Sequence, residues 1–352
     1  FYNIIILELA KKVTDMEHGK RIVSGMRPTG KLHLGHYLGV LTNWEKLQND
    51  YECFFFVADW HALTTKFDKT DDLQQNCLDV VLDWLAAGID PEKSVIYVQS
   101  QVPQIAQLHV YLSMITPNNW VERDPTLKDL VKMVKTDESN NKPDVSYGFL
   151  GYPVLMAADI MMFNVDFVPV GIDQVAHIEI ARDIARRFNN IYGVDLFKEA
   201  QPKLTQIPLL KGLDGQKMGK SFHNDIKISD DEETTTKKIM QAITDRSRAR
   251  KDDPGHPDKC EVAFSYWQAF GDEKTIETVK EECMAGKRGC VDCKRQLACA
   301  VNDYLRPIRE RRKYYENHLD EVKEIIEKGS EKARIEAQKV LEQVKDAVKM
   351  YR

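Results

Sequence analysis

What this chain of 352 residues lacks narrows its reading first. No apolar run approaches the roughly 18 residues of a membrane-crossing helix, so a soluble protein is expected. The opening FYNIIILELAKK holds a short apolar run, but no basic segment precedes it and no small-residue cleavage site follows. A secretory leader is therefore not expected, the cytoplasm is the expected compartment, and residues 1–19 are read as an extension outside the fold. Excess positive charge is missing as well: 50 Lys and Arg against 55 Asp and Glu leave a net charge of -5. That excludes an evenly basic DNA-binding protein and confines any RNA contact to local patches. Cysteine is sparse, at seven residues, and in a reducing compartment these are expected in the core or on a metal rather than in disulfides. No internal repeat or low-complexity tract is present.

What is there first sets the fold class. The length exceeds what one core usually supports, so two domains are expected. Short β-rich runs (RIVSGM at 21–26, CFFFVADW from 53, SVIYVQSQ from 94, DFVPVG from 166) alternate with amphipathic helices to about residue 192. One such helix is 70–88, with Leu73, Leu78, Val81, Leu82 and Leu85 at helical spacing and Gly88 as its stop. This alternation predicts an α/β domain with a parallel sheet over residues 20–228, ligands binding at the carboxyl ends of its strands. The polar stretch TDESNNKPDVS at 136–146 reads as a mobile loop. From 229 to 352 strand signals vanish, and 232–245, 264–285, 294–318 and 330–350 read as helices of a second, all-helical domain.

Two loops carry the chemistry. After the first strand comes GMRPTGKLHLGHYLG, where His33 and His36 flank Gly35 at the opening of a helix, a place suited to phosphate. By itself it could equally be a tight turn with two bystander histidines. Farther on, GLDGQKMGKSF sets Lys217 and Lys220 among Gly212, Gly215 and Gly219, either a solvated basic loop or one built to close on polyphosphate. Between them lies YPVLMAADIMMF, a helix with Pro153 in its first turn and Asp159 as its lone charge. Tyr152, Met156 and Asp159 share one face, two broad apolar walls and one acceptor, which fits an aromatic ligand with a single N–H such as indole. The other reading of Asp159 is an internal pair with an arginine.

His33-Leu34-Gly35-His36 and Lys217-Met218-Gly219-Lys220-Ser221 resemble the two signatures of class I aminoacyl-tRNA synthetases, with Leu34 for the usual Ile and Gly219 for the usual Ser. Gly219 removes a hydroxyl and loosens the loop. FFFVADWHALTT (54–65), YPVLMAADI (152–160), VPVGIDQVAHIEIARDIARRFN (168–189) and GQKMGKS resemble tryptophanyl-tRNA synthetases, and the resemblance runs from residue 21 to about 350. It implies a Rossmann-like catalytic domain followed by a helical anticodon-binding domain. It also implies ATP, with Mg2+ on its phosphates, at Arg27, Pro28, Thr29, Gly35, His36, Gly171, Ile172, Asp173, Ile207, Lys217, Met218, Gly219, Lys220 and Ser221. L-Tryptophan falls to Tyr152, Met156, Asp159, Val168, Val170 and Gln174. His33, His36, Lys217 and Lys220 would be the donors to developing charge as tryptophan is adenylated and passed to tRNA(Trp), by a homodimer. Ile172 stands where an acidic residue is often seen, so only its backbone is expected to reach a ligand, and Asp173 could serve as a helix cap instead. The rivals are a tyrosyl-tRNA synthetase and a non-catalytic, synthetase-like protein that binds tryptophan or RNA.

Four of the cysteines follow the spacing C-x22-C-x6-C-x2-C at Cys260, Cys283, Cys290 and Cys293, while Cys53, Cys77 and Cys299 read as core. No strand leads into RGCVDC as a redox pair would need, and a disulfide would face cellular reductants. A metal site therefore stands against four free thiols. The spacing resembles a subset of bacterial tryptophanyl-tRNA synthetases with a four-iron four-sulfur cluster, zinc being the alternative. Such a clamp is expected to present Arg288, Lys294 and Arg295 to tRNA. Further phosphate contacts are expected from Arg246, Arg248, Arg250 and Lys251, or from Arg309, Arg311, Arg312 and Lys313.

Overall fold

The computed structural model describes residues 19–122, 136–137, 142–143, 145–204, 210–245, 247–248, 250 and 252–351, and gives only the backbone of residues 136, 137, 142, 143, 173 and 221. Strand β1 (Arg21–Met26) leads into the short helix α1 (Leu34–His36), a π turn (Tyr37–Leu41) and α2 (Thr42–Leu47). Next come β2 (Glu52–Val57), α3 (Asp59–Lys66), α4 (Leu73–Ala87) and β3 (Ser94–Val98). Then follow α5 (Gln104–Ile115), α6 (Asn118–Glu122), a small antiparallel ladder of β4 (Thr136–Asp137) and β5 (Lys142–Pro143), α7 (Tyr147–Leu150) and α8 (Tyr152–Met162). The 136–146 stretch, expected as a loop, thus contains that ladder. β6 (Phe167–Val170), α9 (Val175–Tyr192) and β7 (Gln201–Leu204) complete the α/β part.

The five long-range strands form one parallel sheet in the order β3-β2-β1-β6-β7. The expected parallel sheet is there, and its order reverses direction between β1 and β6, where such sheets open a crevice at their carboxyl edge. Side chains alternate across it. Ile22, Cys53, Phe55, Val57 and Ile96 join one core, and Val23, Phe54, Phe56 and Tyr97 join the other. Near-continuous apolar runs are what a strand buried on both faces requires. β7 escaped the sequence reading because Gln201, Pro202 and Lys203 offer no apolar run, an edge strand being free to stay half-exposed.

From Glu232 onward the described elements are all helices: α10 (Glu232–Gln241), α11 (Ala263–Phe270), α12 (Glu273–Met284), α13 (Cys290–Glu316) and α14 (Leu319–Ala347). The expected 264–285 helix is two, because Asp272 caps a new one through a 2.9 Å bond from the Thr275 N–H. The last helix starts at Leu319 rather than near 330. Gly329, which reads as a helix breaker, lies inside it because α14 crosses the edge strand β3 so closely that a Cβ would overlap the Ile96 carbonyl. α13 packs on α4 and α10, one side of the sheet, while α14 reaches β3 and α5 on the other. No described helix is long and apolar enough to cross a membrane.

Candidate active site

His33 is the N-cap of α1, and its Nδ1 accepts the His36 N–H at 3.3 Å while the Nδ1 of His36 accepts the His33 N–H at 3.4 Å. The two rings stack with centroids 3.8 Å apart. Since both Nδ1 atoms are acceptors, each neutral ring must carry its proton on Nε2. Burial pulls His33 down to about 4, with Lys220 adding to the effect and Asp225 opposing it. Burial, His33 and Lys220 together take His36 to about 3. Near neutral pH the pair is uncharged and offers two Nε2–H donors.

The second signature lies against the first. The Gly35 N–H meets the Met218 sulfur at 3.4 Å. The Lys220 ammonium donates to the Gly30 carbonyl at 2.6 Å and to the Thr29 carbonyl at 3.1 Å, and burial brings it down to about 8. Lys217 is exposed. The Gly219 N–H is held by Asn224 Oδ1 at 2.9 Å. The buried Asn224 amide also ties Asp214 and the Lys217 carbonyl, a role that nothing in its sequence context had signalled.

At the β1–β6 crevice a cavity of about 360 Å³ is lined by Arg27, His36, Tyr152, Met156, Asp159, Val168, Val170, Gly171 and Gln174. Nine of the residues singled out in the sequence therefore meet around one space, and Pro28 and Thr29 continue the Arg27 loop beside Lys220. Ile172 does not join them. It is 77% exposed at the start of a 3-10 turn (Ile172–Gln174) whose last residue reaches the cavity. Ile207 and the side chains of residues 173 and 221 lie outside the described residues. α9 begins after Gln174 with no side-chain cap bond.

Asp159 is 1% exposed, and among the described residues it has no arginine partner of the kind weighed above. Instead His61 Nε2 donates to its Oδ2 at 2.8 Å, and the Gln99 amide donates to Oδ1 at 2.8 Å and to Oδ2 at 3.0 Å. Burial pushes the Asp159 carboxyl up, and these bonds oppose the shift. A carboxylate offers about four lone-pair directions, so three bonds leave one free. His61 lines the cavity with a buried Nδ1 that has no hydrogen-bond partner among the described residues. Sequence reasoning named neither His61 nor Gln99, although both sit at the carboxyl ends of strands, where ligands are expected.

Comparison with known proteins agrees with this geometry. Residues 16–306 match the family described as tRNA synthetases class I (W and Y). The chain belongs to that family. The tryptophan–tRNA ligase of Thermotoga maritima is 46% identical over 94% of this chain and 99% of its own length, and that of Aquifex aeolicus 42% identical over 94% and 100%. The crystal structure of Campylobacter jejuni tryptophanyl-tRNA synthetase complexed with ADP and tryptophan superposes with a TM-score of 0.85, at 34% identity over 94% of this chain and 100% of that one.

In this synthetase the four cysteines lie in the helical part. Cys260 follows a 3-10 turn, Cys283 lies in α12, and Cys290 and Cys293 form the first turn of α13. Burial raises the Cys260, Cys283 and Cys293 thiols, and the charge of neighbouring cysteines adds to each shift, so the four share one neighbourhood. Yet all are free thiols, and among the described residues no three His, Cys, Asp or Glu side chains converge closely enough to hold a single metal ion. Cys299 is exposed, not core, whereas Cys53 and Cys77 do pack against the sheet.

The expected RNA-facing cations are mostly occupied. Lys294 donates to the Met240 and Ala242 carbonyls at 2.6 and 3.2 Å, capping the carboxyl end of α10. Arg288 is paired with Glu282 at 2.7 Å, which leaves Arg295 as the exposed member of its trio. Of the other clusters, Arg246 and Lys251 lie outside the described residues, and Arg248 bonds the Arg288 carbonyl at 2.7 Å. Arg309 bonds Thr235 at 2.8 Å, Arg311 bonds the Ala86 carbonyl at 2.7 Å, and Arg312 is buried. Arg309, Arg311 and Arg312 thus tie α13 to α10 and α4, while Lys313 is exposed.

Proposed function

We propose that this synthetase is a bacterial-type tryptophan–tRNA ligase, which joins L-tryptophan to ATP as tryptophanyl-adenylate and transfers it to tRNA(Trp). The observation that carries the reading is Asp159, a buried carboxylate set by His61 and Gln99 with one acceptor direction left in a cavity walled by Tyr152 and Met156. An indole N–H fills that direction. Phenylalanine would leave the acceptor unpaired, which a buried site penalises strongly. The relatives and the solved neighbour named above support the same substrate.

The tryptophan carboxylate attacks the α-phosphate of ATP and pyrophosphate leaves. A ribose hydroxyl of the tRNA's terminal adenosine then attacks the adenylate carbonyl, releasing AMP. No protein nucleophile is required, so positioning and charge stabilisation carry the rate. His33 and His36 give neutral Nε2–H donors, Lys220 gives its ammonium once it leaves Thr29 and Gly30, and Lys217 gives a second. Losing one such donor costs about 2.7–4 kcal/mol of barrier in a preorganised site. Bound Mg2+ supplies charge neutralisation on the phosphates.

We assign residues 20–228 to catalysis and 229–352 to the tRNA anticodon, and read the working unit as a dimer that covers the exposed Val110 and Met114 of α5. At Cys260, Cys283, Cys290 and Cys293 a four-iron cluster fits better than zinc. A single zinc needs thiolates that converge on one ion, whereas a cluster gives each its own iron. The Trp267 N–H at 3.3 Å from Cys293 Sγ and Arg248 at 4.0 Å from Cys290 Sγ would offset thiolate charge.

Pyrophosphate exchange into ATP with a panel of amino acids tests the function. Exchange driven by tryptophan alone supports it, exchange driven by tyrosine moves the chain to the sister specificity, and none leaves a binding protein. For the cysteines, anaerobically purified protein should be brown with about four irons per chain. Colourless, metal-free protein that still charges tRNA removes the cluster.

A further inference from the structure

Behind the signature loop lies a charged group that none of the ligand-facing residues uses. The Leu32 N–H, one residue before the histidine pair, donates to Asp83 Oδ2 at 2.6 Å. Asp83 comes from α4 and is fully buried. Its other oxygen takes the guanidinium of Arg312, which α13 of the helical region inserts until only 3% of it remains exposed. The same guanidinium pairs with Asp79 Oδ1 at 2.7 Å and with Glu316 at 2.9 Å, so every arm of it is engaged. On its other side the signature is held by backbone bonds, Ile228 N–H to the Leu32 carbonyl at 3.0 Å and Leu34 N–H to the Ile226 carbonyl at 2.9 Å, and farther along by the Met218 sulfur at Gly35. The reciprocal Nδ1 bonds of His33 and His36 exist only if residues 32–36 keep this path. Among the described contacts, Asp83 is the side chain that fixes where that path begins.

We propose that Asp83 and Arg312 are positioning residues for nucleotide activation. Arg312, delivered by the helical region, keeps Asp83 ionised and aimed, and Asp83 pins the Leu32 N–H so that the two histidine donors meet the α-phosphate at the transition state. Neither touches substrate. The proposal rests on the reading that this site adenylates an amino acid. The burial that lifts the Asp83 carboxyl to about 6, with Arg312 opposing it, is consistent with a group whose charge depends on its partner.

The test compares wild-type full-length protein with three variants. Asp83→Leu/Arg312→Met removes the pair without leaving a lone buried charge and so remains foldable. Asp83→Asn keeps one acceptor for Leu32, and Arg312→Lys keeps the charge without the fork. Tryptophan-dependent pyrophosphate exchange and hydrogen exchange of the peptide spanning residues 31–37 are measured on all four. The double variant should lose about 10- to 100-fold in kcat, as expected for a small displacement of catalytic donors. Its KM for tryptophan and ATP should stay within about threefold. Asp83→Asn and Arg312→Lys should fall between it and wild type, and exchange of the 31–37 peptide should quicken in the same order. A folded double variant with wild-type kcat overturns the proposal, as does a rise in KM with kcat unchanged. If the double variant does not fold, wild-type kcat in both single variants overturns it equally. Should wild-type protein itself show no tryptophan-dependent exchange, the functional reading fails, and the hydrogen-exchange order still decides whether Asp83 holds the signature loop.

Discussion

At position 159 a change of one atom is the informative one. Asp159→Asn keeps the volume but turns part of the acceptor into a donor facing the Gln99 amide or His61 Nε2. Tryptophan affinity should fall about 10- to 100-fold, in line with the roughly 1.5–3 kcal/mol of a hydrogen bond to a charged group. Calorimetry checks this, and unchanged affinity would remove indole from that corner. The histidine pair gives a pH dependence of definite sign. Folding holds His33 near 4 and His36 near 3, both below the ordinary value of about 6.5. The unfolded chain therefore binds more protons between about 6.5 and 4, and stability falls as the pH drops through that window. Urea unfolding should give a smaller stability at about pH 5 than at about pH 7, and His33→Asn/His36→Asn should narrow the gap. An unchanged gap would mean that other groups cause it. These residues were legible because signature spacing and a lone acid in an apolar helix stand out in one dimension. His61 and Gln99 were not, since their role exists only where two strand ends and α8 meet.

Among the elements, the helix–strand crossing of α14 over β3 offers a clean perturbation. Gly329→Ala places a methyl group on the Ile96 carbonyl, and neither backbone can yield without moving the other. The expected loss is about 1–3 kcal/mol, read as a lowered Tm, and a stable, unshifted variant would show that the helix rides looser than described. The same crossing explains one sequence error. Gly329 and Ser330 look like a helix boundary until the strand beneath them is known. β7 failed for the opposite reason: its residues are exposed or half-buried at the sheet edge, so QPKL carries no apolar signal, and edges cannot be seen in sequence. β2 and β3 were legible because both their faces are buried, which leaves near-continuous apolar runs, and β1 and β6 keep shorter ones, Ile22-Val23 and Phe167-Val168. Arg288, Lys294, Arg309, Arg311 and Arg312 all have protein partners that the sequence could not show, since charge in a sequence looks alike whether it caps a helix, pairs two helices or waits for phosphate.

Across the whole molecule, α13 and α14 grip opposite faces of one sheet, so the α/β and helical parts should unfold together. Near-ultraviolet circular dichroism and the fluorescence of Trp44, Trp84 and Trp267, spread across both parts, should report one coincident thermal transition. Two separated transitions would mean that the helices detach first. The cover that α14 gives β3 also has a consequence in time. Synthesis runs from the amino terminus, so β3 is made long before the helix that closes over it. The roughly 230 residues from Val98 to Gly329 take about 12 to 46 s at 5–20 residues per second. For that interval the nascent chain carries a finished strand whose outer row of N–H and C=O groups has no neighbour, and it is in this window that a chaperone or a second growing chain meets an open template.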